Sequence, residues 1–490
     1  MSQTVTFDYD SRKRMAIMTG DHFEEIREHF SVYNDAAKYA RFNRRFIPSR
    51  RYVITPQGRF EPGLFHEIRK FIKENAPDTK IHVREPLLEI IKPEYKRAYH
   101  ADRPELKLKL RDYQQEIVDS CLKFGRGVTV LATAGGKTLT MANLIQCVYN
   151  QTPHLKCLIV VPDLGLVNQT YNDFIEYEVT FSHSRWTGSE KLNMTTNVII
   201  ANMGILQSDK SNTEWIQDID MLIIDEVHKL RKDNKINKLI SKIRTQHKFG
   251  FTGTMPEQQL DQWNIIGKIG RIVYERSSFE LRKEQYVAKA MVQVIKIEYS
   301  EKPESFPNDR FDPTAKFRRE QQFIAKNKFR NNIISTLSSN FDNNSLIMVD
   351  FIEHGEELYG ILRSKCTNKQ VFFIRGEVAV EEREKVKKMM ESGTDIVCIA
   401  ISKIFSTGIN IKNLHYIIFA SGGKAKVKII QSIGRGLRLH KDKKGVIIID
   451  IADLLFYGIK HYTKRLSLYK EEKIQYGIKK IKQREETTLR

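Results

Sequence analysis

The segment Ala132-Thr-Ala-Gly-Gly-Lys-Thr138 brings together residue types that bind phosphate. Gly135 and Gly136 let backbone N–H groups converge on phosphate oxygens, with Thr133 and Ala134 completing the cradle. Lys137 is spaced to reach the β- and γ-phosphates of a nucleotide, and the Thr138 hydroxyl suits Mg2+. An apolar run, Val128–Ala132, precedes the segment, and a helical pattern from Leu139 to Cys147 follows it. A helix beginning there would add the positive end of its dipole to the cradle. The first glycine of G-x-x-x-x-G-K-[ST] falls at Leu131, so the strict pattern is not met. A glycine-rich turn that only caps a helix is the competing reading.

Two further groups could act on the same phosphates. Met221-Leu-Ile-Ile-Asp-Glu-Val-His228 sets two carboxylates at the carboxyl end of an apolar strand, where open α/β sheets bind ligands. Asp225 is placed to hold Mg2+ through water, and Glu226 to orient and deprotonate an attacking water. The pair could instead cap the next helix. Gln431-Ser-Ile-Gly-Arg-Gly-Leu-Arg438 spaces Arg435 and Arg438 three apart, on one face of a helix. Two guanidiniums on one face suit a triphosphate. In so basic a chain they also read as a solvated helix face.

The elements that must position these groups alternate. Apolar runs at Val128–Ala132, Cys157–Val161, Val198–Ala201, Met221–Asp225 and Phe249–Thr252 read as buried parallel strands with helical segments between. The rhythm repeats at Ser345–Val349, Gln370–Ile374, Asp395–Ala400, Tyr416–Ala420 and Val446–Ile451. The fold class expected is α/β, with two parallel-sheet domains in tandem, residues 103–280 and 281–490, after a small N-terminal α/β domain, residues 1–102. Lys92 to Pro104 reads as a linker, and the tail from Ile459 on as a Lys-rich helix.

Composition narrows the partners. The 490 residues carry 81 Lys and Arg against 60 Asp and Glu, a net charge of +21, which favours a polyanion such as nucleic acid. No apolar run is long enough to span a membrane, and the N-terminus has no apolar signal core. The 5 cysteines are odd in number, widely spread and without a CxxC pair, so they are expected to be reduced and buried in a cytoplasmic protein.

In this order, the segments resemble a superfamily 2 helicase of the DExH type, over roughly Lys107 to Ile451. The whole layout is most similar to the phage UvsW-like DNA helicases, with Phe42-Asn-Arg-Arg-Phe46, Leu110-Arg-Asp-Tyr-Gln114 and Phe405-Ser-Thr-Gly-Ile-Asn-Ile-Lys-Asn-Leu414 carrying that likeness. The resemblance implies two RecA-like motor domains that hydrolyse ATP with Mg2+ and remodel forks, Holliday junctions and R-loops. It implies a host-cell cytoplasmic location for a phage-encoded chain. By the same resemblance Gln114 reads adenine, Gly408 lies near the nucleotide, and Arg435 and Arg438 act as arginine fingers with Gln431 near the γ-phosphate. Pro162, Gln169 and Thr407 would contact nucleic acid, and Thr252 and Thr254 would couple His228 to strand separation. Ala134 departs from the Gly that many relatives carry, and Asn410 from their nucleotide-contacting Asp.

DNA, branched or with single-stranded segments, is the expected partner, with RNA possible within R-loops. A monomer suffices, since both halves of the ATP site lie in one chain. An RNA helicase and a restriction-type duplex translocase remain alternatives within the same motor class. Three basic stretches are open. Arg41, Arg44, Arg45, Arg50 and Arg51 interleave with Phe42, Phe46 and Tyr52, and read either as a DNA-binding element or as a small domain's core and surface. Arg318, Arg319, Lys326, Lys328 and Arg330, and the tail with Lys464, Arg465, Lys470, Lys473, Lys479, Lys480, Lys482 and Arg484, read either as nucleic-acid track or as solvated surface.

Overall fold

The computed structural model describes residues 3–34, 37, 47–93, 95, 106–208, 213–231, 234–306, 312–375, 380–402, 411, 413–421 and 445–484. The chain divides into two compact units. The first holds Met1–Leu131 and Gly136–Arg276, and the second is principally Ser277–Arg490.

The first unit is built on a seven-stranded, all-parallel sheet. In spatial order its strands are Ile272–Arg276, Gly127–Leu131, Lys248–Thr252, Met221–Asp225, Cys157–Val161, Val198–Asn202 and His183–Trp186. Strands such as Cys157-Leu-Ile-Val-Val161 are buried along their whole length because helices cover both faces. Strands Gly127–Leu131, Lys248–Thr252 and Met221–Asp225 are neighbours, so the loops leaving their carboxyl ends converge.

The N-terminal segment shares a core with this sheet's helices. Its own four-stranded sheet runs Arg59–Phe60, Met15–Gly20, Thr4–Asp10, Lys80–Val83, with the last pair parallel and the others antiparallel. Phe7, Phe30, Phe60 and Phe65 pack in one cluster with Trp263 and Ile266 of the helix Gln259–Ile269. The approach is close: a Cβ on Gly63 would come within 2.0 Å of the Ile266 carbonyl oxygen, so only glycine fits there.

The second unit repeats the all-parallel plan in the order Gln370–Ile374, Ile396–Ile401, Ser345–Val349, Tyr416–Phe419, Gly445–Asp453, Lys289–Glu298, Gln475–Lys482. Both sheets are RecA-like. The expectation of one continuous C-terminal helix is corrected. A helix spans Phe456–Glu471, and the chain then returns as the strand Gln475–Lys482 along the edge of the sheet. Its lysines are exposed, as charged residues on a sheet edge commonly are.

Two members of the basic stretches are not solvated. Arg330 is fully buried; its Nε donates to Asp453 Oδ1 at 2.8 Å and its Nη2 to the Ala420 carbonyl at 2.7 Å. Arg465 is buried as well, with Nε and Nη2 donating to Asp450 Oδ1 at 3.0 and 2.7 Å. Both acceptors lie on the strand Gly445–Asp453, so each arginine ties a helix to the central sheet. All 5 cysteines are buried, and none is joined in a disulfide. No described helix is long and apolar enough to cross a membrane.

Candidate active site

The glycine-rich segment sits between the strand Gly127–Leu131 and the helix Lys137–Gln151. Ala134 and Gly136 both adopt left-handed backbone, with φ 69° and 80°. That conformation turns the chain sharply enough to start the helix at Lys137. At Gly136 glycine is required twice over, since an added Cβ would lie 2.3 Å from Gln114 Nε2 as well as meeting the strain of positive φ. At Ala134 a side chain is present and the strain, on the order of 1 kcal/mol, is carried.

Gln114 braces this turn. Its Oε1 accepts from the Arg111 backbone N–H at 2.9 Å, and its Nε2 donates to the Gly136 carbonyl at 3.3 Å. Thr140 completes the brace, with its hydroxyl donating to the same carbonyl at 3.1 Å. Sequence reasoning passed over Thr140. The signal was a threonine four residues after Gly136, the spacing at which hydroxyls bond back along a helix.

Asp225 ends its strand and Glu226 turns away from it in left-handed backbone, φ 51° and ψ 48°. The turn sends the two carboxylates in different directions from adjacent positions. Lys137 Nζ donates to Glu226 Oε1 at 3.2 Å, across the gap between two non-adjacent strands. Thr252, at the end of the strand between them, donates to the Thr254 carbonyl at 2.8 Å. With its proton so used, the Thr252 oxygen accepts from His228 Nδ1 at 2.9 Å. The same Nδ1 faces Glu226 Oε2 at 3.2 Å. A continuous polar chain therefore runs Lys137, Glu226, His228, Thr252, Thr254.

Burial and charge set the ionisation of the two acids. Burial raises Asp225, the neighbouring Glu226 charge raises it further, and its carboxyl reaches about 6. For Glu226 burial also works upward, but Lys137 and the His228 hydrogen bond outweigh it and hold the carboxyl well below the usual range. Among the described residues no ion pair reaches Asp225, although it is only 6% exposed; its Oδ1 accepts the Glu226 N–H at 2.9 Å. The arrangement can bind an oxyanion at the turn, hold a hard cation near Asp225, and polarise a water at Glu226.

Not every expected residue joins this cluster. Thr138 follows Lys137 in the first helical turn. Pro162 lies just past the strand Cys157–Val161, and Gln169 is half-buried in the helix Leu164–Glu176. Among the described residues, no hydrogen bond joins either of them to the polar chain. Thr407, Gly408, Gln431, Arg435 and Arg438 lie outside the described residues, as do Arg41, Phe42, Arg44, Arg45 and Phe46. In the described part of the N-terminal basic stretch, Arg50 pairs with Glu28 at 2.8 Å and the Tyr52 hydroxyl donates to Glu28 at 2.9 Å.

Comparison with known proteins places this geometry. Residues 107–257 match the family model described as the type III restriction enzyme res subunit, and residues 326–440 match the helicase conserved C-terminal domain. The chain is a superfamily 2 helicase. The helicase is 27% identical to the ATP-dependent DNA helicase uvsW of Enterobacteria phage T4, over 94% of this chain and 95% of that protein. It is 24% identical to the DNA 3'-5' translocase XPB2 of Sulfurisphaera tokodaii, over 70% of this chain and 81% of that one. Its fold is also that of a putative HsdR subunit fragment of a type I restriction enzyme from Vibrio vulnificus, with a TM-score of 0.57 at 17% identity, covering 79% of this chain and 72% of that one. The helicase is a nucleic-acid-dependent ATPase.

Proposed function

We propose that this helicase uses ATP to unwind or branch-migrate branched DNA: forks, Holliday junctions and R-loops. The reading is supported by the likeness to the phage T4 helicase along nearly the full length of both chains. The observation that carries the motor chemistry is the hydrogen-bonded run from Lys137 through Glu226 and His228 to Thr252.

In this reading the nucleotide phosphates enter the turn at Thr133–Gly136. Lys137 leaves Glu226 for the β- and γ-phosphates, a stronger, doubly charged partner. Glu226, released from its ammonium, becomes a better base and takes the proton of the attacking water. His228 keeps Glu226 oriented and relays its position to Thr252 and Thr254, at the end of the neighbouring strand. Gln114 holds the adenine side of the site. From the second domain Gln431, Arg435 and Arg438 supply the γ-phosphate contacts, and Gly408 approaches the nucleotide. Pro162, Gln169 and Thr407 track the nucleic-acid backbone. Contacts made only with ATP bound make it a ligand that selects the closed state, and hydrolysis weakens them.

The Asp225 carboxylate and the Thr138 hydroxyl are hard oxygen donors, which fit Mg2+. No cluster of three or more acidic, His or Cys side chains suited to a metal occurs among the described residues. That agrees with a cation that keeps most of its waters and binds substrate phosphate. When bound, Mg2+ neutralises phosphate charge.

The test is phosphate release by the full chain with no effector, single-stranded DNA, duplex DNA, a four-way DNA junction, or RNA of matched length. Strongest stimulation by the junction is expected. Stimulation by RNA alone would replace this reading with an RNA helicase, and stimulation by unbranched duplex alone with a duplex translocase.

A further inference from the structure

Opposite the nucleotide loop, at the amino ends of the same strands, lies a cavity of about 250 Å³ between the N-terminal segment and the first motor sheet. The strand Gly127–Leu131 separates the two places by five residues, on the order of 16 Å. Arg14 comes to the cavity from the turn between the first two strands, Arg126 and Lys248 from the starts of two motor strands, and Lys268 from the end of the helix Gln259–Ile269. Lys13 and Arg244 also line it, and among the described residues the sole carboxylate on its wall is Glu61.

The local partners leave this charge incompletely answered. Glu61 is engaged by Lys268, which also donates to Ser241 Oγ at 2.5 Å. Arg126 spends its guanidinium on carbonyls at two helix carboxyl ends, Ile90 at 3.0 Å, Lys268 at 2.9 Å and Ile269 at 2.8 Å. Arg14 meets one carbonyl, Lys242, at 3.0 Å. Lys248 has three donors and meets one acceptor, the Ile243 carbonyl at 3.1 Å. Burial, with Arg126 beside it, pulls the Lys248 ammonium down to about 7. Like charges gathered around a hollow disfavour the folded state unless an anion fills it.

We propose that this cavity is a binding site for a phosphate-type oxyanion, held by Lys248 and Arg14 and bridging the N-terminal segment to the first motor domain. The volume admits a phosphate or diphosphate group. The group can therefore come from a free ion or from the phosphorylated end of a nucleic-acid strand. The site lies apart from the nucleotide loop and does not depend on the helicase reading.

The test uses the full chain carrying Lys137→Ala, so that the nucleotide loop contributes little. Thermal unfolding is followed against pyrophosphate, with chloride at matched ionic strength as reference. The same titration is run on the chain with Lys248→Met added and, separately, with Arg14→Ala added. Arg14 is a half-buried turn residue with φ 55°, so each variant's midpoint without pyrophosphate serves as its own reference. Pyrophosphate should raise the midpoint, and either added substitution should weaken its apparent affinity at least fivefold. Equal response in all three proteins would overturn the proposal, as would no response beyond chloride in the parent. A second arm compares 5'-phosphorylated and 5'-hydroxyl oligonucleotides. A Lys248-dependent preference for the phosphorylated strand assigns the site to strand ends, and equal binding of the two strands assigns it to the free ion.

Discussion

The two motor domains bury their carboxylates in opposite ways. In the second, Asp450 and Asp453 lie inside the sheet and each is met by an arginine: Arg465 on one, Arg330 on the other. Tyrosine hydroxyls complete both sets, Tyr469 donating to Asp450 at 2.8 Å and Tyr299 to Asp453 at 2.5 Å. In the first, Asp225 is also buried but has no cation at contact distance among the described residues, and Glu226 holds a lysine that a phosphate could take away. A carboxylate whose hydrogen bonds and charge are already matched serves the fold. One left raised toward about 6 by burial and a like-charged neighbour is available for chemistry.

The largest effect expected from this contrast is on stability, in the second domain. Arg465→Ala strands Asp450 in the core and should cost about 3–5 kcal/mol in urea unfolding. ATP turnover per folded molecule should change little. Next comes Glu226→Gln, which keeps the shape and removes the proposed base. Turnover should fall roughly a hundredfold or more, with stability within about 1 kcal/mol of the parent. A large loss of stability there would place Glu226 with the structural carboxylates.

Smaller effects sharpen the same picture. Ala134→Gly relieves the left-handed strain at the glycine-rich turn but frees the unfolded chain, so stability should move by less than about 1 kcal/mol. Gly136→Ala should damage the turn, because its Cβ meets Gln114. A pH dependence at Lys248 stands apart from these in kind. Its folded ammonium gives up its proton near 7, whereas the unfolded one holds it to the ordinary lysine range. Between those values the unfolded chain binds the extra proton, so this group's contribution to stability rises with pH from about 7 upward. Lys248→Met should flatten that slope in unfolding midpoints taken across the window.

The parts of this contrast that were legible in the sequence are those with local signatures. The glycine-rich turn, the Asp225–Glu226 pair and the buried strands declare themselves through residue type and spacing; Met221–Asp225 and Ser345–Val349 are found at the residues read from their apolar runs. Strands that break the apolar pattern were not. His183–Trp186 and Gln475–Lys482 lie at sheet edges, where one side is open and polar residues are tolerated. Arg330 could not be told from surface charge, because its partner Asp453 lies 123 residues along the chain; Arg465 lies only 15 residues from Asp450, but on a separate element that folding alone brings onto the strand. The basic cavity was hidden for the same reason. Its cations come from residues 13 to 268, and no stretch of the sequence carries them together.

The most direct test sets one carboxylate from each domain side by side. Asp225→Asn and Asp453→Asn are measured for thermal midpoint and for DNA-stimulated phosphate release below that midpoint. Asp225→Asn should lose roughly a hundredfold in turnover and keep or raise its midpoint. Asp453→Asn should lose several degrees and keep its turnover per folded molecule. The reverse pattern, a destabilised Asp225→Asn that still hydrolyses ATP beside an unaltered Asp453→Asn fold that does not, would contradict the division of roles.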